Sequence, residues 1–242
     1  MTTNSRIRKV NWHQAAVEVA LILAGILIAL SVDNWREEQL ARKTEIVYLE
    51  ELEQDFLANK KSLTASIEYQ KRLVAIGDEL LRMIQAGDIH KSPEDFTSKI
   101  GEFYFFGYWT PVLGTYDDLI NSGRLLYIEN RQLRRQLSAF NRLLDDVRRL
   151  EALLPETYYQ RHAPFLEGIL DTNTLTWPGD YRTPRSPFPA DTDSFATHRF
   201  WSLVVEWMYV HQDVITNYQR AMIQCDAILE LIAEELETKR KD

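Results

Sequence analysis

At 242 residues, with 45% hydrophobic and 26% charged positions and a net charge of −8, the chain can bury a full core and lacks the bias of a disordered polymer. The acidic balance argues against a nucleic-acid partner, which would need a basic groove. The single cysteine, Cys225, rules out an internal disulfide and leaves both reducing and oxidising compartments open.

Residues 1–14 form a short basic tail carrying Arg6, Arg8 and Lys9. Glu18 is then the only charge between Ala15 and Val32. At 1.5 Å per residue this run extends about 27 Å, close to the thickness of a bilayer core. Trp12 and Trp35 bracket it as interfacial aromatics would. Glu18 lies near the entry side, within reach of headgroups and of the positive end of the helix dipole. The pattern predicts a transmembrane helix over residues 15–35, anchored by Trp12, Glu18, Gly25 and Trp35.

A soluble helix this apolar on every face would need a large protein around it. A cleaved signal peptide draws support from the small residues Ala29 and Ser31, but the run is long for one and helical sequence continues through the cut. Arg36, Arg42 and Lys43 balance the basic residues of the tail. The first group sits in a short tail, which favours the N-terminus inside and the C-terminal part outside the cytoplasm. Ala16, Ala20 and Ala24, with Gly25 and Ala29 beside them, form a small-residue face suited to a second span.

Residues 36–242 read as a soluble helical bundle. Leu49, Leu52, Phe56, Leu63, Ile67, Val74, Leu81 and Ile84 recur at three- and four-residue steps. The span therefore runs on as a long helix, or breaks briefly between Glu38 and Lys43. Gly87 suits its C-cap, and Ser92-Pro93-Glu94 opens a new element. Aromatics crowd Phe103 to Tyr116; Phe105, Tyr108 and Trp109 are candidate pocket residues, with ordinary core packing as the plainer reading. Thr115 and Asp118 resemble a capping box for a short helix ending at Gly123.

Asn130 is placed to cap a helix bearing Leu133, Leu137, Phe140, Leu144, Val147 and Leu150 on one face, ended or kinked by Pro155. A shorter piece follows, interrupted by Pro164. Residues 171–194 form a Pro-rich loop. The last segment carries a heptad seam through Trp201, Val204, Met208, His211, Ile215, Tyr218, Met222, Cys225, Leu229, Ile232 and Leu236. No strand pattern competes, so the expected fold is all-α: a transmembrane helix continuing into an antiparallel bundle of long amphipathic helices.

The run "VEVALILAGILIALSVDNWREE", then "YLEELEQDF" and "TYDDLINSGRLLYIENRQLRRQL", resembles a family of bacterial membrane proteins catalogued only as a domain of unknown function. Its members open with a Gly-Glu-aliphatic span ending near Asn-Trp-Asn-Glu. Val17-Glu18 and Asn34-Trp35-Arg36-Glu37 occupy those places, with Val17 replacing the Gly and Arg36 the Asn. Thr115, Tyr116, Leu119, Ser122 and Gly123 match the later motif. The resemblance covers about the first 140 residues and implies an anchored helical protein of the bacterial inner membrane, with no activity assigned.

The sequence carries little recognisable chemistry. His13, His90, His162, His198 and His211 sit in no metal-ligand frame. His211 and Cys225 fall on the seam and read as core residues. Asp117-Asp118 and Asp145-Asp146 are neighbours that diverge by about 100° on a helix, so neither pair is set up to share a proton. Arg134-Arg135 and Arg148-Arg149 read as solvated, with lipid headgroups or an acidic partner as the alternative. No catalytic, metal or cofactor residue is assigned, and no enzyme is expected. The expectation is an anchored scaffold or interaction protein whose partners are the bilayer and a second copy or another membrane protein. The alternative is an extracytoplasmic ligand-binding sensory module; its short tail leaves signalling to a partner.

Overall fold

The computed structural model describes residues 12–171, 187 and 190–241, and the side chains among them except those of 12–17 and 19. Most of the tail, the Trp12 side chain and most of the Pro-rich loop therefore lie outside the described residues. Every regular element among the described residues is helical.

The first helix, α1, runs unbroken from Trp12 to Ala86, 75 residues and about 110 Å at 1.5 Å per residue. It contains no proline and runs on through Glu38 to Lys43 as expected, without the brief break that was the alternative. Gly77 is a point of close approach. A Cβ there would lie 2.6 Å from Cγ of Met208 and 2.7 Å from Cε2 of Phe103. The helix stops at Gly87, whose φ of 68° suits glycine.

Helix α2 spans Pro93–Phe103, and an irregular segment then runs back along α1. Two buried polar residues of α1 hold it. Gln70 donates to the Gly107 carbonyl at 3.0 Å. Asn59 donates to the Val112 carbonyl at 2.7 Å and accepts from its N–H at 2.6 Å. These bonds satisfy backbone groups that no helix or sheet pairs. Helix α3 spans Gly114–Asn121. The expected Thr115–Asp118 box does not cap it; Asp55 of α1 accepts from the Thr115 N–H at 2.9 Å instead. The tertiary contact supplies what the local sequence was expected to supply.

Helix α4 spans Arg131–Thr157, capped as expected by Asn130, which accepts from the N–H groups of Gln132 and Leu133. Pro155 sits inside α4 without ending it; a π-helical turn, Tyr158–His162, follows. The short α5 is Ala163–Leu166, and α6 spans His198–Lys241. Helix α6 packs antiparallel to both α1 and α4 and carries much of the core.

The buried stripe of α6 is wider than the heptad seam and displaced from it. Val204, His211, Tyr218, Cys225 and Ile232 are fully buried, as expected. Trp201, Met208, Met222 and Leu229 are only half-buried. Phe200, Trp207, Val214, Ala221 and Ile228, off the expected seam, are fully buried. A two-helix seam has one partner, whereas α6 lies between α1 and α4 and must bury about three positions in seven.

Candidate functional site

Three features distinguish the molecule from a plain helical bundle: an exposed apolar sleeve, a charged clasp at its base, and a buried histidine network at the far end.

The sleeve is the first part of α1. Leu21, Ile22, Leu23, Ile26, Leu27, Ile28, Leu30 and Val32 are each more than half exposed. They cover every face of the helix, so no single packing partner could bury them. Glu18 and Trp35 are exposed at its two ends, and a Cβ on Gly25 would meet nothing within 4 Å. Among the described residues, no helix is long and apolar enough to cross a membrane. The described sleeve from Ala20 to Val32 measures about 20 Å.

The clasp lies where α1 enters the bundle. Lys239 of α6 places Nζ 2.6 Å from Glu45, 3.0 Å from Glu129 and 3.6 Å from Glu235. Glu45 accepts from the Glu129 N–H at 2.6 Å, and Asn130 donates to Glu235 at 2.9 Å. Arg42 reaches the Lys239 carbonyl at 3.0 Å. Burial works against the Lys239 charge, but the hydrogen bonds to Glu45 and Glu129 outweigh it and raise its pKa. The three carboxylates are close enough to ligate one cation; the lysine ammonium already stands among them.

The histidine network joins α1, the π-helical turn and α6. His162 and His211 are completely buried. His162 Nδ1 lies 3.2 Å from the Tyr104 hydroxyl, and its Nε2 faces a Glu206 oxygen at 3.7 Å. Arg161 pairs with the other Glu206 oxygen. His211 Nδ1 lies 2.5 Å from Gln70 Oε1; with that amide oxygen accepting, Nε2 is left bare. Nε2 of both rings and Oε2 of Glu206 are buried without hydrogen-bond partners. Trp207 packs 5.0 Å from both rings. Burial, reinforced by Arg161, lowers the His162 pKa to about 4. Burial, reinforced by His162, lowers that of His211 to about 3. Both imidazoles are therefore neutral at neutral pH. Tyr104, on the Nδ1 side of His162, is a buried phenol whose pKa burial raises, packed among aromatic rings.

The three candidate pocket residues go different ways. Phe105 meets Tyr69 edge-on, Tyr108 is exposed beside Phe106, and Trp109 is buried against Phe140 and Tyr218. The Trp109 N–H donates to Tyr218 at 2.9 Å and to Glu151 at 3.1 Å, and its indole donates to Ser62 at 2.9 Å. Of the seam residues, His211 and Tyr218 carry polar contacts; Ile215 is plain core. Cys225 is buried, and burial pushes its thiol to about 12, away from nucleophilic chemistry. Asp145 and Asp146 pair with Arg148 and Arg149 along the solvated face of α4.

No curated protein and no solved structure matches the chain. Residues 18–147, from the sleeve through most of α4, match the family of unknown function DUF6090, and the chain belongs to that family.

Proposed function

We propose that this protein is a membrane-anchored helical scaffold that acts by associating with a second copy or with another membrane protein. The observation carrying this reading is the continuity of α1. One helix is apolar and exposed on every described face in its first part and then forms the core of the bundle. The span would run from Ala15 to Val32, with Trp12 and Trp35 at the interfaces. Without a flexible linker, the bundle's orientation to the bilayer follows from the direction of α1. The uncovered small residues Ala20, Ala24 and Gly25 supply a face for a neighbouring span.

The setting is the inner membrane of a bacterium, with the bundle on the periplasmic side. Carbonate washing of membranes should leave the full chain in the pellet; its release would overturn the anchor. Cross-linking in native membranes should trap the chain with itself or with one membrane protein. A chain recovered only as an uncross-linked monomer would overturn the scaffold.

A further inference from the structure

We propose that the turn Arg124–Tyr127 and the outer face of α4 form a second membrane contact, an apolar tip with an arginine rim that docks on anionic phospholipid headgroups. This rests on the anchored reading of α1. Leu126 is 80% exposed, more than any other large hydrophobic among the described residues. The chain is fixed on both sides of it. Gly123, at φ 72°, turns the chain before it. The next residue, Tyr127, stacks on Tyr48 of α1 at 6.4 Å, and the Glu129 N–H is tied to Glu45.

The arginines beside the tip divide into two groups. Arg124 pairs with Asp118 at 3.4 Å, and Arg134 donates to the carbonyls of Ile128 and Glu129. Arg131, Arg135 and Arg142 have no partner among the described residues and are exposed. Their spacing puts them within about 40° of one another on α4, around an open cavity of about 720 Å³ that Leu125 and Leu126 close at one end. The one acid in this stretch, Glu129, is taken by Lys239. In a chain of net charge −8, an uncompensated basic face complements an anionic surface. Ordinary solvation would account for the arginines but not for a leucine held out among them.

The tip lies at the end of the bundle from which the sleeve emerges. Along α1, Glu45 and Tyr48 lie about 15–20 Å beyond Trp35. The contact therefore requires α1 to tilt toward the α3–α4 side, as membrane helices do by up to about 40°, with the depth of the headgroup layer and the reach of the arginine side chains closing the rest of the distance. Tyr127 and Leu126 would then meet the interface, with Arg131 and Arg135 on phosphates.

The test is hydrogen exchange on the full chain in lipid nanodiscs of phosphatidylcholine alone, or mixed with phosphatidylglycerol. Amides of 124–128 should exchange several-fold more slowly in the anionic discs. The Arg131→Gln/Arg135→Gln pair should abolish that difference, while thermal melting stays unchanged because both side chains are solvent-facing. Leu126→Ser should reduce the protection in the same way. A chain that enters the discs but exchanges equally in both lipids would overturn this contact and leave the anchor standing. A chain that fails to enter the discs would overturn both. Protection that follows the number of copies per disc rather than lipid charge would assign the face to a second copy and overturn the lipid contact.

Discussion

The Lys239 ammonium lies 2.6 Å from the carboxylate of Glu45, joining the last turns of α6 to the point where α1 enters the bundle. The side chains are 8% and 1% exposed, so this pair is screened far less than a surface ion pair. Removing one partner of such a pair typically costs about 3–5 kcal/mol, because the other charge is left buried and alone. Lys239→Met should therefore destabilise the full chain in detergent by about 3 kcal/mol, read from urea unfolding. The Glu45→Gln/Lys239→Met double variant should recover most of that loss. A double variant as unstable as the single one would mean that Lys239 serves packing rather than charge. The Lys239 pKa is raised, so its contribution is complete below the ordinary lysine value and is lost only as pH climbs through the higher folded value.

The two buried histidines act in the opposite direction. Their folded pKa values, about 4 for His162 and about 3 for His211, lie below the ordinary value of 6.5. The unfolded chain therefore binds protons first as pH falls. Stability should decline from about pH 6.5 downward, by up to about 1.4 kcal/mol per pH unit for each histidine. Replacing His162 by Phe, which keeps a ring between Tyr104 and Trp207, should make the decline between pH 6 and pH 4 shallower by about one proton. The comparison of acid limbs for the two proteins provides the measurement. Identical slopes would place the proton uptake on other groups.

Helix existence was legible in the sequence because periodicity and caps are local: α1, the Asn130 cap and the stop at Gly87 all follow from neighbouring residues. What was not legible depended on partners distant in sequence. Asn59 and Gln70 fall in the apolar register of α1, at the steps between Phe56 and Leu63 and between Ile67 and Val74, and Glu45 lies one step before Leu49. A polar residue in a core register is a signal that something must satisfy it. The sequence does not say that Asn59 and Gln70 bind the irregular segment, or that Glu45 binds Lys239. The apparent capping box failed for the same reason, since Asp55 does its work from another helix. The sleeve was the reverse case: its apolarity needed no partner to be seen.

The width of the α6 stripe can be tested residue by residue. A strict heptad seam makes Met222 a core position and Ala221 a flank. In the structure Ala221 is completely buried and Met222 only half so. Ala221→Leu should then overpack the contact region and cost about 1–3 kcal/mol, whereas Met222→Leu, which nearly conserves volume, should cost less than about 1.5 kcal/mol. Ile215 is buried and Asp213 exposed two residues away. Ile215→Asp should cost several kcal/mol, because it places an unpaired charge in the core. Asp213→Ala should stay within about 0.5 kcal/mol. Urea unfolding of the four variants gives the order. If Met222→Leu proved more damaging than Ala221→Leu, α6 would be packing along the narrow seam against a single helix. The wedge between α1 and α4 would then be wrong.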